Sequence, residues 1–188
     1  MCKNTLLRGG SGGFARPTAR RSHAAPASQS QDALFLRYLA GFIDGDGSIF
    51  VRIIRREDYV LKYQISCNLS FIQKKRRQHE LMQLHKMIGI GTFRDRNDGM
   101  VEINIVGSAT VKPFLEQIKP YLRFKKTQAN LILQIIERLA ATNKSPTYFL
   151  ETCQLADRLA ELNDSRNRTV TAEVVRKRFE DLQFVDPE

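Results

Sequence analysis

The sequence predicts an α+β domain: a four-stranded antiparallel sheet with helices over one face, in the order α-β-β-α-β-β-α, followed by further helices. Three observations carry that reading. Four short stretches alternate apolar and polar residues with period two, as strands with one buried and one wet face do. They come in two pairs, each preceded by a stretch of helical periodicity. Beyond Lys125 only the helical period remains.

The first helical pattern sets Leu36, Leu39, Phe42 and Ile43 at helical spacing and ends in Asp44-Gly45-Asp46-Gly47. Its Ala40, Gly41 and Gly45 leave a flank with almost no side chain, where another backbone can come close. Over Ser48 to Arg56, Ile49, Val51 and Ile53 alternate with Phe50, Arg52 and Ile54. After a turn at Glu57-Asp58-Tyr59, the run Lys62 to Gln73 sets Tyr63, Ile65, Cys67, Leu69 and Phe71 against Gln64, Ser66, Asn68, Ser70 and Ile72. A helix over Lys74 to Ile88 follows, with Leu81, Leu84 and Ile88 on one face. The second strand pair is Gly91 to Arg96 and Met100 to Val106, turned by Asn97-Asp98-Gly99. Helices come next over Ser108 to Ile118 and Gln128 to Ala141, the latter with Leu131, Ile132, Ile135, Ile136 and Leu139 inward. Ser145-Pro146 pairs an N-cap with proline at the first helical position, opening a helix towards Leu162, and Thr171 opens a last one.

The polar sheet face carries Arg52, Gln64, Ser66, Asn68, Ser70, Arg94, Arg96, Glu102 and Asn104, with Phe50, Ile54, Arg56 and Thr92 among them. A merely solvated face would favour Lys and Glu, whereas Arg and Gln/Asn make bidentate contacts to guanine and adenine edges. A strand of about eight residues spans roughly 26 Å, the length of about eight base pairs. These thirteen residues are the expected DNA contacts.

Thirty basic residues against 20 acidic give a net charge of +10. Residues 1–31 hold five of the basic residues and no acid, leaving a modest excess over 32–188 that permits phosphate binding without requiring it. That Gly/Ser/Ala/Arg-rich stretch reads as a disordered basic tail, an organelle transit peptide or an extension of the reading frame, ahead of one domain over 32–185. Cys2, Cys67 and Cys153 have no ligand-like spacing and read as reduced thiols of an intracellular protein. No apolar run reaches the length that spans a membrane, so no membrane partner is expected. His23, His79 and His85 have no partner at ligand spacing, and Gly9 to Gly13 lacks the frame of a phosphate loop.

Asp46, leaving the helix end beside the Gly45 carbonyl, offers oxygen donors suited to a hard cation such as magnesium. An isolated Asp-Gly-Asp-Gly turn that only stops a helix would look alike, but this match is not isolated. Leu39 to Gly47 resembles the motif of the LAGLIDADG homing endonucleases, with Phe42 for Leu and Gly45 for Ala. Residues 73–77, 88–91, 94–96, 119–122, 125–130 and 162–165 are similar to its single-motif, homodimeric branch, found in chloroplast rRNA-gene introns.

The resemblance implies a saddle-shaped sheet and two chains joined through the motif helix at Ala40, Gly41, Asp44 and Gly45. It implies a magnesium-dependent endonuclease that cuts both strands of a long pseudo-palindromic DNA site to start intron homing. Asp46 would bind the metal with the Gly45 carbonyl, and Gln73, Arg77 and Lys125 would complete the catalytic set. The compartment implied is organellar, the chloroplast ahead of the mitochondrion. Arg76, His79 and Thr127 depart from near family members at the periphery. Two rivals stay open. One is an RNA maturase using a separate basic surface around residues 166–178, where Arg166-Asn167-Arg168 and Arg176-Lys177-Arg178 touch phosphates or are simply solvated. The other is a non-catalytic DNA-binding module.

Overall fold

Alternation along the sequence becomes the two faces of one sheet. The computed structural model describes residues 27–142, 145–163 and 168–186, with side chains from residue 31 onward. Helix α1 (Ala27–Asp46) leads into β1 (Gly47–Arg55) and β2 (Tyr63–Lys74). A 3₁₀ turn (Lys75–Arg77) precedes α2 (Gln78–Ile88), β3 (Thr92–Asp95), β4 (Met100–Val106) and α3 (Ser108–Ile118). A second 3₁₀ turn (Lys119–Tyr121) then leads to α4 (Lys126–Thr142), α5 (Pro146–Glu161) and α6 (Ala172–Asp181). The antiparallel sheet has the order β1-β2-β4-β3.

Ile49, Val51 and Ile53 of β1, the odd-numbered residues Tyr63 to Phe71 of β2, and Val101, Ile103 and Ile105 of β4 are all buried. Over them lie Leu39 and Ile43 of α1, Phe114 and Leu115 of α3, Ile132 and Ile135 of α4, and Phe149 and Leu159 of α5. Each such side chain contributes about 1.5–3 kcal/mol on burial, so the packed face fixes the register of β1, β2 and β4. The expected caps are present: Ser145 Oγ accepts the Tyr148 N–H at 3.3 Å, and Thr171 Oγ1 accepts that of Val174 at 3.4 Å.

Three expectations are corrected. Helix α1 begins at Ala27, inside the stretch expected to be a disordered tail, because adding residues to a helix already nucleated by its buried face costs little. Lys74 is not helical. It still pairs with Met100 in the sheet, and the Lys75 N–H bonds the Gly99 carbonyl at 2.9 Å, so the strand runs on into a 3₁₀ turn. Strand β3 is shorter than expected, because Gly91 has φ +88°, outside extended geometry. The remainder of the tail (residues 1–26, with Cys2, Gly9 to Gly13 and His23) lies outside the described residues, as do Asp164, Ser165, Arg166 and Asn167. No helix among the described residues is long and apolar enough to cross a membrane.

Gly47, the first residue of β1, has a packing reason. A Cβ there would lie 2.6 Å from the Ile43 Cα, so Gly47→Ala should destabilise the chain by about 1–3 kcal/mol, read from urea unfolding. Burial pushes the Cys67 thiol up to about 12 from the ordinary 9.0. Burial also raises that of Cys153, and the nearby Asp157 adds to the rise. Because the unfolded chain gives up these protons first, their burial is neutral to stability below pH 9.0 and stability falls as pH climbs from there towards about 12. Iodoacetamide at pH 8 should therefore leave Cys67 and Cys153 unmodified until guanidinium unfolds the chain. Mass spectrometry showing either one alkylated in the folded protein would contradict this packing.

Candidate active site and nucleic-acid interface

Helix α1 ends by delivering Asp46 to the rim of the sheet, where the strand β2 brings Gln73 and the following turn brings Arg77. Gln73 Nε2 donates to Asp46 Oδ2 at 2.7 Å, and Arg77 Nη1 donates to Gln73 Oε1 at 3.1 Å. The orientation of the amide follows from its neighbours, since an ionised carboxylate can only accept and a guanidinium can only donate.

Lys125, far along the chain, enters from below. Its Nζ donates to the carbonyls of Ile43 (2.8 Å) and Asp44 (3.0 Å) and lies 3.5 Å from that of Gly45. These are end carbonyls of α1 with no partner within the helix, where a cation is favoured. Burial lowers the Lys125 pKa from the ordinary ammonium value, opposed by the charges of Asp44 and Asp46. The Asp44 carboxylate runs the opposite way and accepts the backbone N–H groups of Arg123 (2.7 Å) and Lys125 (2.9 Å). All four expected catalytic residues therefore converge at the end of α1. The Lys125 contacts and the inward turn of Asp44 had no signal in the sequence, because both depend on where a distant loop arrives.

For a metal, the donor set is exposed Asp46 with the Gly45 carbonyl. Among the described residues no group of three His, Cys, Asp or Glu side chains stands together. A single chain thus supplies few, all-oxygen donors. That fits a hard cation which keeps waters and takes phosphate oxygens, and does not fit a closed zinc-type centre.

The outer flank of α1 is corrected in composition. Ala40 is 0% exposed, packed into its own chain by the same turn that buries Leu39 and Ile43, so it cannot meet a partner. Asp44 is turned into its own chain as described. What remains outward is Leu34, Tyr38, Gly41 and Gly45, at helical spacing, and both glycines have open space where a Cβ would be. Phe124, 83% exposed, stands beside Lys125 in the chain. A hollow of about 300 Å³ lined by Tyr38, Phe42, Gln73 and Arg77 joins this flank to the site. Leu34 and Tyr38 were legible as a stripe continuing Gly41 and Gly45; Phe124 was not.

On the polar sheet face, Arg52, Ile54, Thr92, Arg94 and Arg96 are exposed, and Phe50, Gln64 and Ser66 are half-buried. The Arg52 guanidinium stacks 5.0 Å over the Phe50 ring. Arg56 is corrected: it lies past the end of β1, in the turn, with its guanidinium 3.1 Å from Asp58 and over the Tyr59 ring. Four expected contacts are buried instead. Asn68 and Ser70 are each 2% exposed, and Asn68 Nδ2 is spent on the Ser66 carbonyl at 2.8 Å. Asn104 is buried with its Oδ1 unpartnered. Glu102, 5% exposed, accepts from Arg94 Nε at 2.9 Å and from Arg94 Nη2, and its other oxygen accepts from Arg96 Nη1 at 3.2 Å. Central positions of a four-stranded sheet are covered by the longer side chains of flanking strands, which period-two reasoning does not see. Arg168 is also turned inward, onto Asp157.

A helix that hands one acid to the rim of an arginine-bearing sheet sets a metal-binding group beside a face suited to nucleic acid. The chain belongs to the LAGLIDADG endonuclease family, whose model matches residues 39–137. It is 44% identical over 154 residues to DNA endonuclease I-CvuI of Chlorella vulgaris, covering 82% of this chain and 95% of that one. Identity to DNA endonuclease I-CreI of Chlamydomonas reinhardtii is also 44%, over 151 residues, 79% of this chain and 90% of the relative. The crystal structure of I-CvuI with the I-CreI target and 2 mM Mg, its DNA uncleaved, superposes with a TM-score of 0.78 at 42% identity, covering 82% of this chain and 98% of that one. A second I-CvuI structure, with its own target and 2 mM Ca, superposes equally well, TM-score 0.78 over 83% of this chain and 99% of that one.

Asp44→Ala should remove the acceptor for two backbone N–H groups and lower stability by about 1–2 kcal/mol. Urea titration beside the parent checks this, and an unchanged midpoint would mean the carboxylate holds nothing.

Proposed function

We propose that this chain is a sequence-specific, magnesium-dependent DNA endonuclease that acts as a homodimer, cutting both strands of a long pseudo-palindromic site to start homing of its intron. The observation that carries the reading is the hydrogen-bonded row Asp46–Gln73–Arg77, with Lys125 behind it, at the edge of a polar sheet face. One such row per chain serves one strand, so a double-strand break calls for two chains. Gly41 and Gly45 support this. Glycine within a helix costs up to about 1 kcal/mol relative to alanine, and a Cβ at either position would meet nothing in its own chain. A partner helix brought against them sets two Asp46 side chains at one axis, and a two-fold dimer reads a two-fold site.

Asp46 and the Gly45 carbonyl would hold the magnesium ion, which when bound supplies a more acidic water and charge neutralisation at the phosphate. The chain's own groups do the rest. Gln73, its amide already ordered by Asp46 and Arg77, orients the attacking water. Arg77 and Lys125 offset charge developing on the phosphate oxygens. The water oxygen bonds to phosphorus, one phosphorus–oxygen ester bond breaks, and the leaving oxygen takes up a proton. The setting proposed is an organelle, the chloroplast ahead of the mitochondrion, supported by the family branch and by the algal source of both relatives.

Incubation with magnesium and a plasmid library of candidate sites should linearise a small set sharing one near-palindrome. Absence of any cleavage across the library would overturn the proposal. Asp46→Asn should cut nothing yet retain binding by gel shift, and Gln73→Ala should slow cutting by about a hundredfold. Gly41→Leu, at a position with open space in its own chain, should fold normally yet sediment as a monomer and fail to cut. A dimer of full activity from that variant would place the contact elsewhere.

A further inference from the structure

An acid at the centre of a face that meets phosphates is unfavourable for affinity, so Glu102 calls for an explanation. The register sets it beside Ile72 on β2 and Arg94 on β3, among the residues of the polar face. Its two oxygens serve two different arginines: Oε1 takes Nε and Nη2 of Arg94, and Oε2 takes Nη1 of Arg96. Arg96 Nη2 is held further by Asp98 Oδ2 at 2.7 Å. The carboxylate side chain is 6% exposed, while those of Arg94 and Arg96 remain 51% and 40% exposed. The acid is hidden and the guanidiniums are presented.

A guanidinium carries five N–H donors, and Glu102 and Asp98 take two from each arginine, leaving both on Nη1 and one on Nη2 of Arg94, and Nε with one on each Nη of Arg96. Unheld, two arginines on adjoining positions would repel and sample many rotamers, and would answer to any phosphate within reach. Held by one buried carboxylate, they keep a fixed orientation and much of their charge is balanced. We propose that Glu102 is a positioning residue that makes Arg94 and Arg96 a single base-reading unit, raising discrimination at a few adjoining base pairs of each half-site while lowering affinity for DNA of arbitrary sequence. This rests on the DNA-reading function proposed above.

The experiment uses the full chain with the Asp46→Asn change to prevent cutting, and compares Glu102, Glu102→Gln and Glu102→Asp. Binding to a randomised duplex library is read by sequencing, and binding to one fixed duplex of arbitrary sequence by anisotropy against salt. Glu102→Gln should bind the arbitrary duplex a few-fold more tightly, with a steeper salt dependence. Its selectivity should fall by about tenfold at one or two positions per half-site, the same ones that Arg94→Ala and Arg96→Ala affect. Glu102→Asp, which keeps the charge but withdraws it by one methylene, should lose selectivity there without the gain in arbitrary binding. It also stands in should the Gln variant melt too low to purify. Selectivity lost evenly along the half-site, or unchanged, overturns the proposal while leaving DNA recognition standing. A parent protein that enriches no half-site overturns the DNA-reading function and this inference with it.

Discussion

At the C-terminal end of α1 the backbone has carbonyls without helical partners, and Lys125 sets an ammonium among them while Asp44 sends its carboxylate back to the N–H groups of Arg123 and Lys125. The two interactions cross between segments some 80 residues apart in sequence. Each half satisfies groups that the ends of two elements would otherwise leave open. Because Asp46 is two residues past Asp44, fixing one fixes the other. Gln73 then takes its place from Asp46, and Arg77 from Gln73. The site is a sequence of dependences that begins with one crossed pair of charges at a helix end.

Much of the fold was legible because its signals are local. The alternation in β2, the Ser145-Pro146 start of α5 and the Asn97-Asp98-Gly99 turn each state their geometry within a few residues. The convergence of Asp46, Gln73, Arg77 and Lys125 was legible only through resemblance, since nothing in their spacing brings residue 125 under residue 44. What could not be read was depth. Period two tells which face a side chain takes, and it gave Asn68, Ser70, Glu102 and Asn104 the right face. It says nothing of how far neighbours rise over them. Ala40 failed for a related reason: a small residue on a helix is equally at home against a partner or against its own sheet, and only packing decides.

Charge on the polar face and in the turn after β1 is likewise less free than composition suggests. Arg94 and Arg96 are balanced by Glu102 and Asp98, Arg56 by Asp58, and Arg55 by Glu57. The hydrogen bonds that Arg55, Arg56 and Arg96 donate to Glu57, Asp58 and Asp98 respectively are the leading cause that raises the pKa of each arginine. A surface built this way gains orientation from its acids and gives up long-range attraction, consistent with the modest basic excess outside the tail.

The bond from Asn163 Nδ2 to the Ile49 carbonyl, 2.7 Å long, has a consequence for assembly. Strand β1 is the first of two outer strands of the sheet, and an outer strand with open carbonyls invites a second copy to add its own strand there. Asn163 occupies one of those carbonyls, and α5 lies along the same strand. The opposite margin, β3, is only four residues long and carries Arg94 and Asp95. Both margins are thus poor templates for strand addition. Growth from sheet to sheet is thereby disfavoured, which suits the pairing of two chains proposed above, through the bare glycine stripe of α1.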